Sequence, residues 1–322
     1  MRCATFSIRR SAGVADMALL ILRRLVQTAL ILLGVAAITF LLLYALPADP
    51  ARMIAGRSAT AQTVANIRRE LGLDQPLLVQ FWAYLQGIVQ GDLGRSYAQK
   101  TDVGSLIAAR IPATLVLMAA GILVEVLLGL TFGIIAALRR GGAVDRVVMM
   151  ASFVGVSAPQ FVVALLLLYV FAVTLGWFPM SGFGTPAHVV LPAATLGILG
   201  AGWYARMVRS AMIDVLNQDY VRTARAKGLS SARIILRHAL PNAMLPIIAM
   251  IGIDIGQFMG GVVVVEAVYG WPGIGQLAWQ AIQQVDIPII MGVTLVSALA
   301  IVLGNLVADI IAPLIDPRIR AR

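Results

Sequence analysis

Charged residues are scarce in this sequence. Asp, Glu, Lys and Arg make up 12% of its 322 residues, whereas hydrophobic residues make up 60%. Soluble globular domains carry about 25% charged residues, so the sequence has too little polar surface for a soluble fold of this length. The mean hydropathy of +0.90 instead predicts a membrane protein with several spans and mostly short loops.

Cysteine, histidine and lysine are also rare, and each shortage excludes a class of site. Cys3 is single, so the chain can form neither a disulfide framework nor a cysteine metal cluster. The two histidines, His188 and His238, are far apart in the sequence and make a poor metal site. Neither lysine, Lys100 or Lys227, follows a glycine as a nucleotide-binding P-loop requires. If ATP drives this protein, another subunit binds it.

Six apolar runs are present, and each has about the 20 residues needed to cross the hydrocarbon core. They predict an all-α membrane protein with six transmembrane helices: Leu25–Leu46, Leu115–Leu138, Val147–Leu175, Val189–Met207, Ala243–Val265 and Ile289–Leu314. Pro159, Pro192 and Pro246 lie inside the third, fourth and fifth runs and predict kinks there.

The basic residues predict how these spans are oriented. Eighteen of the 25 Lys and Arg residues lie before the first span, between the second and third, between the fourth and fifth, or after the sixth. The short loops 176–188 and 266–288 contain none, and the other seven lie in the long segment 47–114. By the positive-inside rule, both termini and the loop 206–242 face the cytoplasm. The net charge of +10 therefore reflects topology, and nucleic-acid binding is the weaker interpretation.

This topology divides the chain into parts. They are a cytoplasmic leader 1–24, a first transmembrane helix 25–46, an extracytoplasmic helical cap 47–114, a five-helix core 115–314 containing a cytoplasmic elbow 208–242, and a cytoplasmic tail 315–322. Met1 and Met17 are both candidate starts. The first span is interpreted as a retained helix because no small-residue cleavage site follows it.

Three acidic residues lie inside the predicted spans: Glu125, Asp254 and Asp309. An ionisable group in hydrocarbon is costly unless it is paired or faces water, so each is a candidate functional residue. We expect Asp254, in the middle of the fifth span, to face an aqueous cavity and line a path, with Glu125 a weaker candidate. A hydrogen-bonded structural acid is the alternative for both. Asp309, near the cytoplasmic end, is expected to be structural, paired with Arg318 or Arg320.

Glycines four residues apart recur in two spans and allow close helix packing. Gly129 and Gly133 are expected to pack within the chain. For Gly252, Gly256 and Gly260 two interpretations stay open: packing within the chain, or packing against a partner chain beside a shared path, in which case Gly256 borders that path.

An intramembrane enzyme is the best catalytic alternative. Ser157, in Gly155-Val-Ser-Ala, faintly resembles a membrane serine nucleophile, which needs a base within hydrogen-bond reach. Neither histidine is expected to reach it, which favours a packing role for Ser157 beside Pro159. A secondary transporter working without an ATPase is a further alternative.

The elbow predicts two short helices at an angle. Asp219 or Asn217 can cap a helix over 220–227, and Gly228 supplies a left-handed end. Ser230 can cap a second helix, which Pro241 would stop. Apolar contacts for a partner are expected from Val221, Ala224, Leu229, Ile234 and Ile235, inside a rim of basic residues. A basic loop lying on anionic lipid headgroups is the alternative.

The elbow resembles the cytoplasmic motif of ABC importer permeases: Glu-Ala-Ala, three residues, Gly, nine residues, Ile-x-Leu-Pro. Ala224, Gly228, Leu240 and Pro241 match, whereas Arg222 and Thr223 replace Glu-Ala and His238 replaces Ile. The variant Ala-Arg-Ala-Lys-Gly-Leu at 224–229 is similar to the dipeptide, oligopeptide and nickel branch. So are the stretches Leu-Gly-Leu-Asp-Gln-Pro at 71–76, Gly-Asp-Leu-Gly-Arg-Ser at 91–96, Val-Glu-Ala-Val-Tyr-Gly-Trp-Pro-Gly-Ile-Gly at 265–275 and Asp-Pro-Arg-Ile-Arg at 316–320.

The resemblance implies a type I importer permease of the bacterial inner membrane that is not itself an enzyme. It would pair with a second, homologous permease, and two ATPase subunits carrying ATP and Mg would dock beneath, since this chain binds no cofactor. A binding protein outside would deliver the substrate. The resemblance assigns coupling to the ATPase to Ala224, Gly228 and Leu229, flanked by Arg225 and Lys227; the missing Glu leaves no salt bridge at its position.

The substrate is not fixed by the sequence. The branch carries dipeptides, oligopeptides, glutathione, nickel chelates and related solutes. Asp254 stands where a neutral polar residue would be expected, so if it lines the path it favours a cationic or amine-bearing cargo.

Overall fold

The computed structural model describes residues 23–24, 26–42, 50–55, 59–70, 72–260 and 262–315, the last with side chains up to 306. Within these ranges the regular structure is helical, and one isolated bridge joins Arg95 to Asp102. The helices are α1 Val26–Leu42, α2 Pro50–Ala55, α3 Ala61–Glu70, α4 Leu77–Gln90, α5 Val103–Leu138, α6 Ala143–Ser157, α7 Gln160–Leu167, α8 Pro186–Leu216, α9 Asp219–Ala226, α10 Ser231–Arg233, α11 Leu240–Met259, α12 Val263–Val268, α13 Ile274–Gln284 and α14 Ile287–Ile315.

Four helical segments are long and apolar enough to cross a membrane: α5, α8, α10 to α11 as one helix Ser231–Met259, and α14 over Ile287–Leu306. A fifth candidate is the pair Ala143–Ser157 and Gln160–Thr174, which bends by 103°. These five agree with the second to sixth predicted runs. The first run is described over α1, an apolar helix of 17 residues, and the predicted Asp309 pairing lies outside the described side chains.

The prolines behave differently from one another. Ala158, before Pro159, is extended with ψ 131°, because proline disfavours the helical region for the residue before it. The third run is therefore broken, as predicted. Pro192 and Pro246 instead lie inside α8 and α11, which continue through them.

The core lies where α5 packs along α8. Gly129 and Gly133 of α5 contact α8 so closely that a β-carbon at Gly133 would come within 2.7 Å of the Ala205 carbonyl oxygen. This confirms that these two glycines pack inside the chain. Gly256 of α11 meets α14 in the same way, its β-carbon position being 3.2 Å from Ile301 Cα, which supports the intrachain interpretation there too.

A buried carboxyl group, that of Glu266, lies at the end of the molecule where α12 and α13 meet. Glu266 has no exposed surface and accepts a hydrogen bond of 2.7 Å from the Gln276 backbone N–H. Next to it, the Trp271 indole N–H donates to the Ala113 carbonyl of α5 at 2.9 Å, and Thr114 Oγ1 accepts from the Ile274 N–H at 2.9 Å. The loop after the fifth span is thereby fixed to the start of the second.

Candidate functional site: the elbow and a polar cluster among the spans

The elbow forms at Gly228, which has φ +72°. Its N–H donates to the Arg225 carbonyl at 2.9 Å, and the Leu229 N–H donates to the Ala224 carbonyl at 3.3 Å. These bonds close the end of α9, as the predicted left-handed glycine requires. At the start of α9, Gln218 occupies the cap position and makes no side-chain cap bond, so capping by Asp219 or Asn217 is wrong.

The second limb of the elbow, the helix that begins at Ser231, does not stop at Pro241. The prediction that Pro241 ends this helix is therefore wrong. After α10 the chain makes a π-helical turn over Ile234–Ala239 and continues into α11. Pro241 follows this π-helical turn closely, and local π-helical adjustment is one way in which a membrane helix accommodates a proline. The second limb of the elbow and the fifth span are therefore one helix, Ser231–Met259.

The apolar side chains of the elbow face inward. Val221, Ala224 and Ile234 are buried at 0%, 7% and 4% exposure and form a small core with Leu229 and Leu216. The expectation that these three offer contacts to a partner is therefore wrong for the described chain: they are used to hold the two limbs together. Arg225, Lys227 and Gly228 are exposed, as is Leu236 at 64%.

A polar contact joins the first limb of the elbow, α9, to the fifth span. The Asn242 side-chain N–H2 of α11 donates to the Tyr220 hydroxyl of α9 at 3.0 Å and to the His238 carbonyl at 2.9 Å. Movement of α9 is thus linked to α11 by this contact as well as by the apolar core.

An ion pair lies near the end of α8 that leads into the elbow. Arg209 of α8 donates through Nε to Asp145 Oδ1 at 2.5 Å and through Nη2 to Oδ2 at 2.7 Å. The Gly141 N–H donates to the same Asp145 carboxylate at 2.8 Å. This pair was not predicted from the sequence. It joins the turn between α5 and α6 to the end of α8 that leads into the elbow.

The two acids predicted for the path, Glu125 and Asp254, are brought together. Both residues line the same two cavities, and the Tyr204 hydroxyl donates to Asp254 Oδ2. Glu125 is 4% exposed, and its Oε2 has no partner within the described chain. Gly200 makes room for the pair, since a β-carbon there would overlap the Glu125 carboxyl.

Two cavities flank this acidic pair. One has a volume of about 200 Å³ and the other about 260 Å³, and Glu125, Gly200, Trp203, Asp254 and Gln257 line both. Gly256 lines neither and instead faces α14. Trp203, Tyr204 and Gln257 were not predicted. The signal available was helical spacing, because Gln257 lies three residues after Asp254 on the same helix.

The alternative of an intramembrane enzyme rested on Ser157 and a histidine base. Within the described residues, His188 pairs with Thr185 Oγ1 at 2.7 Å, and no hydrogen bond joins Ser157 to either histidine. No group of three metal-ligating side chains occurs among the residues described.

Comparison with known proteins identifies the family. Residues 129–321 match the family described as "Binding-protein-dependent transport system inner membrane component", and residues 17–118 match the N-terminal region of such a component. The chain belongs to this family. It is an ABC importer permease, a multi-pass protein of the bacterial inner membrane, and the resemblance found in the sequence motifs is confirmed.

Individual relatives agree with this assignment. The permease is 44% identical over 300 residues to the glutathione transport system permease protein GsiC of Salmonella choleraesuis (strain SC-B67), covering 93% of this chain and 98% of the relative. GsiC of Escherichia coli (strain K12) is 42% identical over the same shares. A chain from an inward-facing crystal form of the MetNI methionine ABC transporter superposes with a TM-score of 0.55 at 18% identity, covering 65% of this chain and 96% of that one. At that identity the likeness shows the fold alone.

Proposed function

We propose that this permease forms, with a second homologous permease, the path of an ATP-driven importer for peptides or a related small solute. Glutathione is favoured within this class because the relatives at 42–44% identity are glutathione permeases, and a nickel chelate is the other member considered. A binding protein outside would deliver the solute, and two ATPase subunits inside would bind ATP and Mg.

The proposed topology has six crossings with both termini in the cytoplasm. The 47–114 segment forms the outer cap, 115–314 the core, 208–242 the coupling elbow and 315–322 the tail. The charge distribution supports this arrangement, because basic residues concentrate at the elbow and in the turn before α6. The surrounding lipid contacts the apolar outer faces of the spans.

The observation that carries the proposal is the continuity between elbow and cavity. The helix Ser231–Met259 begins at the elbow and carries Asp254 beside the cavities. A push on α9 is passed to this helix through the core around Ala224 and Leu229 and through the Tyr220–Asn242 contact. Alternating access then follows from a population shift that the ATPases drive from below.

Different roles follow for the five coupling residues. Ala224 and Leu229 keep α9 on the second limb, and Gly228 sets the angle between the limbs. Arg225 and Lys227 are exposed and contact the ATPase directly. The path itself is assigned to Asp254 and Glu125, with Gly256 setting the spacing of α11 from α14 behind them.

Charge reversal at the rim tests the coupling. We expect Arg225→Glu with Lys227→Glu to abolish co-purification of the ATPase subunits and binding-protein-stimulated ATP hydrolysis. Arg146→Glu is the matched control, because Arg146 is an exposed arginine on α6 outside the elbow. Solute uptake that continues without any ATPase would contradict the proposal and favour a secondary transporter.

A further inference from the structure

The cavities beside Glu125 and Asp254 have the chemistry of a cation site, and the geometry points to a binding site for the primary ammonium group of the transported solute. The inference rests on the proposed function and names the part of the solute that the path recognises. It is carried by a buried carboxyl oxygen without a partner and by the side chains around it.

The first observation is the unpaired oxygen. Glu125 is 4% exposed and lines both cavities, yet its Oε2 accepts no hydrogen bond from the described residues. A buried polar atom without a partner is costly and rare. A ligand in these cavities that carries N–H donors would supply a partner for the Glu125 carboxyl group.

The second observation is the charge of the pair. Both carboxyl groups line the two cavities, so negative charge on either acid faces the space that a ligand would enter. The Tyr204 hydroxyl donates to Asp254 Oδ2 and stabilises that charge. Within the described residues no basic side chain forms an ion pair with either acid, so the site is complementary to a small cation.

The third observation is the remaining lining. Gln257 lines both cavities with an amide side chain, which can accept a hydrogen bond, and Trp203 lines them with an aromatic ring. The Arg206 guanidinium lies 4.4 Å from the centroid of that ring, so one cation–π contact of Trp203 is already made within the chain. An ammonium group has three donors, which match acceptors on Glu125, Asp254 and Gln257.

The size of the cavities limits what enters. About 200 and 260 Å³ is below the roughly 300–1,000 Å³ of a pocket that encloses a drug-sized ligand. The site therefore takes the ammonium-bearing end of a solute rather than the whole of it. Because Trp203 and Ile253 at its edge are 56% and 59% exposed, the site opens at the surface of the subunit.

The test uses two small probes and the full-length permease in lipid nanodiscs. Alaninamide carries a primary ammonium group, and N-acetylalaninamide has the same skeleton without the charge. We expect calorimetric titration to show saturable binding of alaninamide only. Glu125→Gln and Asp254→Asn should each weaken that binding by at least about tenfold, whereas Asp214→Asn, which removes an exposed acid from the cytoplasmic end of α8, should leave it unchanged.

The outcomes separate the two proposals. Equal binding of both probes, or binding unaffected by either acid variant, would overturn the ammonium site even if ATPase subunits co-purify with the chain. Failed co-purification with normal alaninamide binding would overturn the coupling proposal and leave the site. If either acid variant does not fold, Gln257→Leu keeps both acids and should still weaken alaninamide binding several-fold; unchanged affinity there would also count against the site.

Discussion

Two glycines show how much a single residue decides in this permease, for opposite reasons. A β-carbon at Gly228 would meet nothing within 4 Å, and only its φ of +72° requires glycine. At Gly200 the backbone is ordinary for a helix, and the obstacle is the Glu125 carboxyl. One glycine is needed for conformation and the other for space.

The effect of a substitution at Gly228 should depend on how well the new residue tolerates the left-handed backbone conformation. We expect Gly228→Val to strain the elbow by about 1–2 kcal/mol and to reduce binding-protein-stimulated ATP hydrolysis by the assembled importer severalfold or more. Gly228→Asn should retain most of the activity, since asparagine tolerates this region. Equal activity of both variants would show that the turn angle does not matter for coupling.

Alanine at Gly200 should disturb the acidic pair. The added methyl group must displace the Glu125 side chain, and overpacking of this kind costs about 1–3 kcal/mol. Gly155→Ala is the matched control, because its β-carbon would lie at an ordinary 3.5 Å from the Ile198 carbonyl oxygen. Thermal unfolding of the two purified variants compares them, and a Gly200→Ala protein as stable as Gly155→Ala would contradict the packing described.

The buried carboxyl group of Glu266 should make the folding stability of the protein depend on pH. Burial raises the pKa of this carboxyl group above its usual value, against the hydrogen bond from the Gln276 N–H, which lowers it. Because the folded state favours the protonated form, its contribution to stability is full below the pKa of the unfolded chain. That contribution is lost as pH rises toward the raised folded value.

The isosteric variant Glu266→Gln tests this sign. It keeps an oxygen to accept from the Gln276 N–H and removes the ionisation. We expect the stability of the variant relative to wild type to increase between pH 4 and pH 8 by roughly 1.4 kcal/mol for each unit by which the pKa is raised. Unfolding midpoints at both pH values give the comparison, and a constant or decreasing difference would refute it.

At the scale of elements, the pair Asp145–Arg209 fixes the turn between α5 and α6 to α8. Removing either partner leaves a buried or half-buried charge, and we expect Asp145→Asn or Arg209→Gln to lower the free energy of unfolding by about 1.5–3 kcal/mol. The double variant should cost less than the sum of the two. Additive single effects would show that the two residues act independently.

Arg222→Gln serves as control. The side chains of Arg222 and Asp219 are 72% and 98% exposed and lie 3.7 Å apart, so no measurable change in stability is expected.

The elements also show how far a sequence predicts such a fold. Hydropathy located four runs that the structure describes as helices long enough to span and a fifth that it describes as a bent pair, because a bilayer forces each span to be long and apolar. The break at Pro159 was predictable from the geometry of the residue before proline. The passage through Pro241 was not, because it depends on the π-helical turn over Ile234–Ala239, which has no simple sequence signal.

The polar cluster was predicted only in part for a similar reason. Glu125 and Asp254 stand out because acids are rare in spans. Tyr204 does not stand out in an apolar helix, and its hydrogen bond to Asp254 depends on how α5, α8 and α11 pack. The inward direction of Val221 and Ala224 was likewise hidden, because a short amphipathic helix gives the same pattern whether its apolar face meets a partner or its own chain.

For the molecule as a whole, the main topological question is whether the bent pair of helices crosses the membrane. Ala143–Ser157 and Gln160–Thr174 meet at 103°, a geometry that fits either one broken crossing or a re-entrant loop. The proposed six crossings require the former. Arg140, before the pair, and Ser181, after it, would then lie on opposite sides of the membrane.

Single cysteines decide between these arrangements. In a Cys3→Ser background we expect a membrane-impermeant maleimide to label Ser181→Cys in intact spheroplasts, and to label Arg140→Cys only after permeabilisation. Both positions are exposed, so access differs only through the membrane. Ser231→Cys and Gln90→Cys, also exposed, serve as inside and outside references. Labelling of Arg140→Cys and Ser181→Cys from the same side would make the pair a re-entrant loop and reverse either the cap or the elbow, because α8 alone separates Ser181 from the elbow.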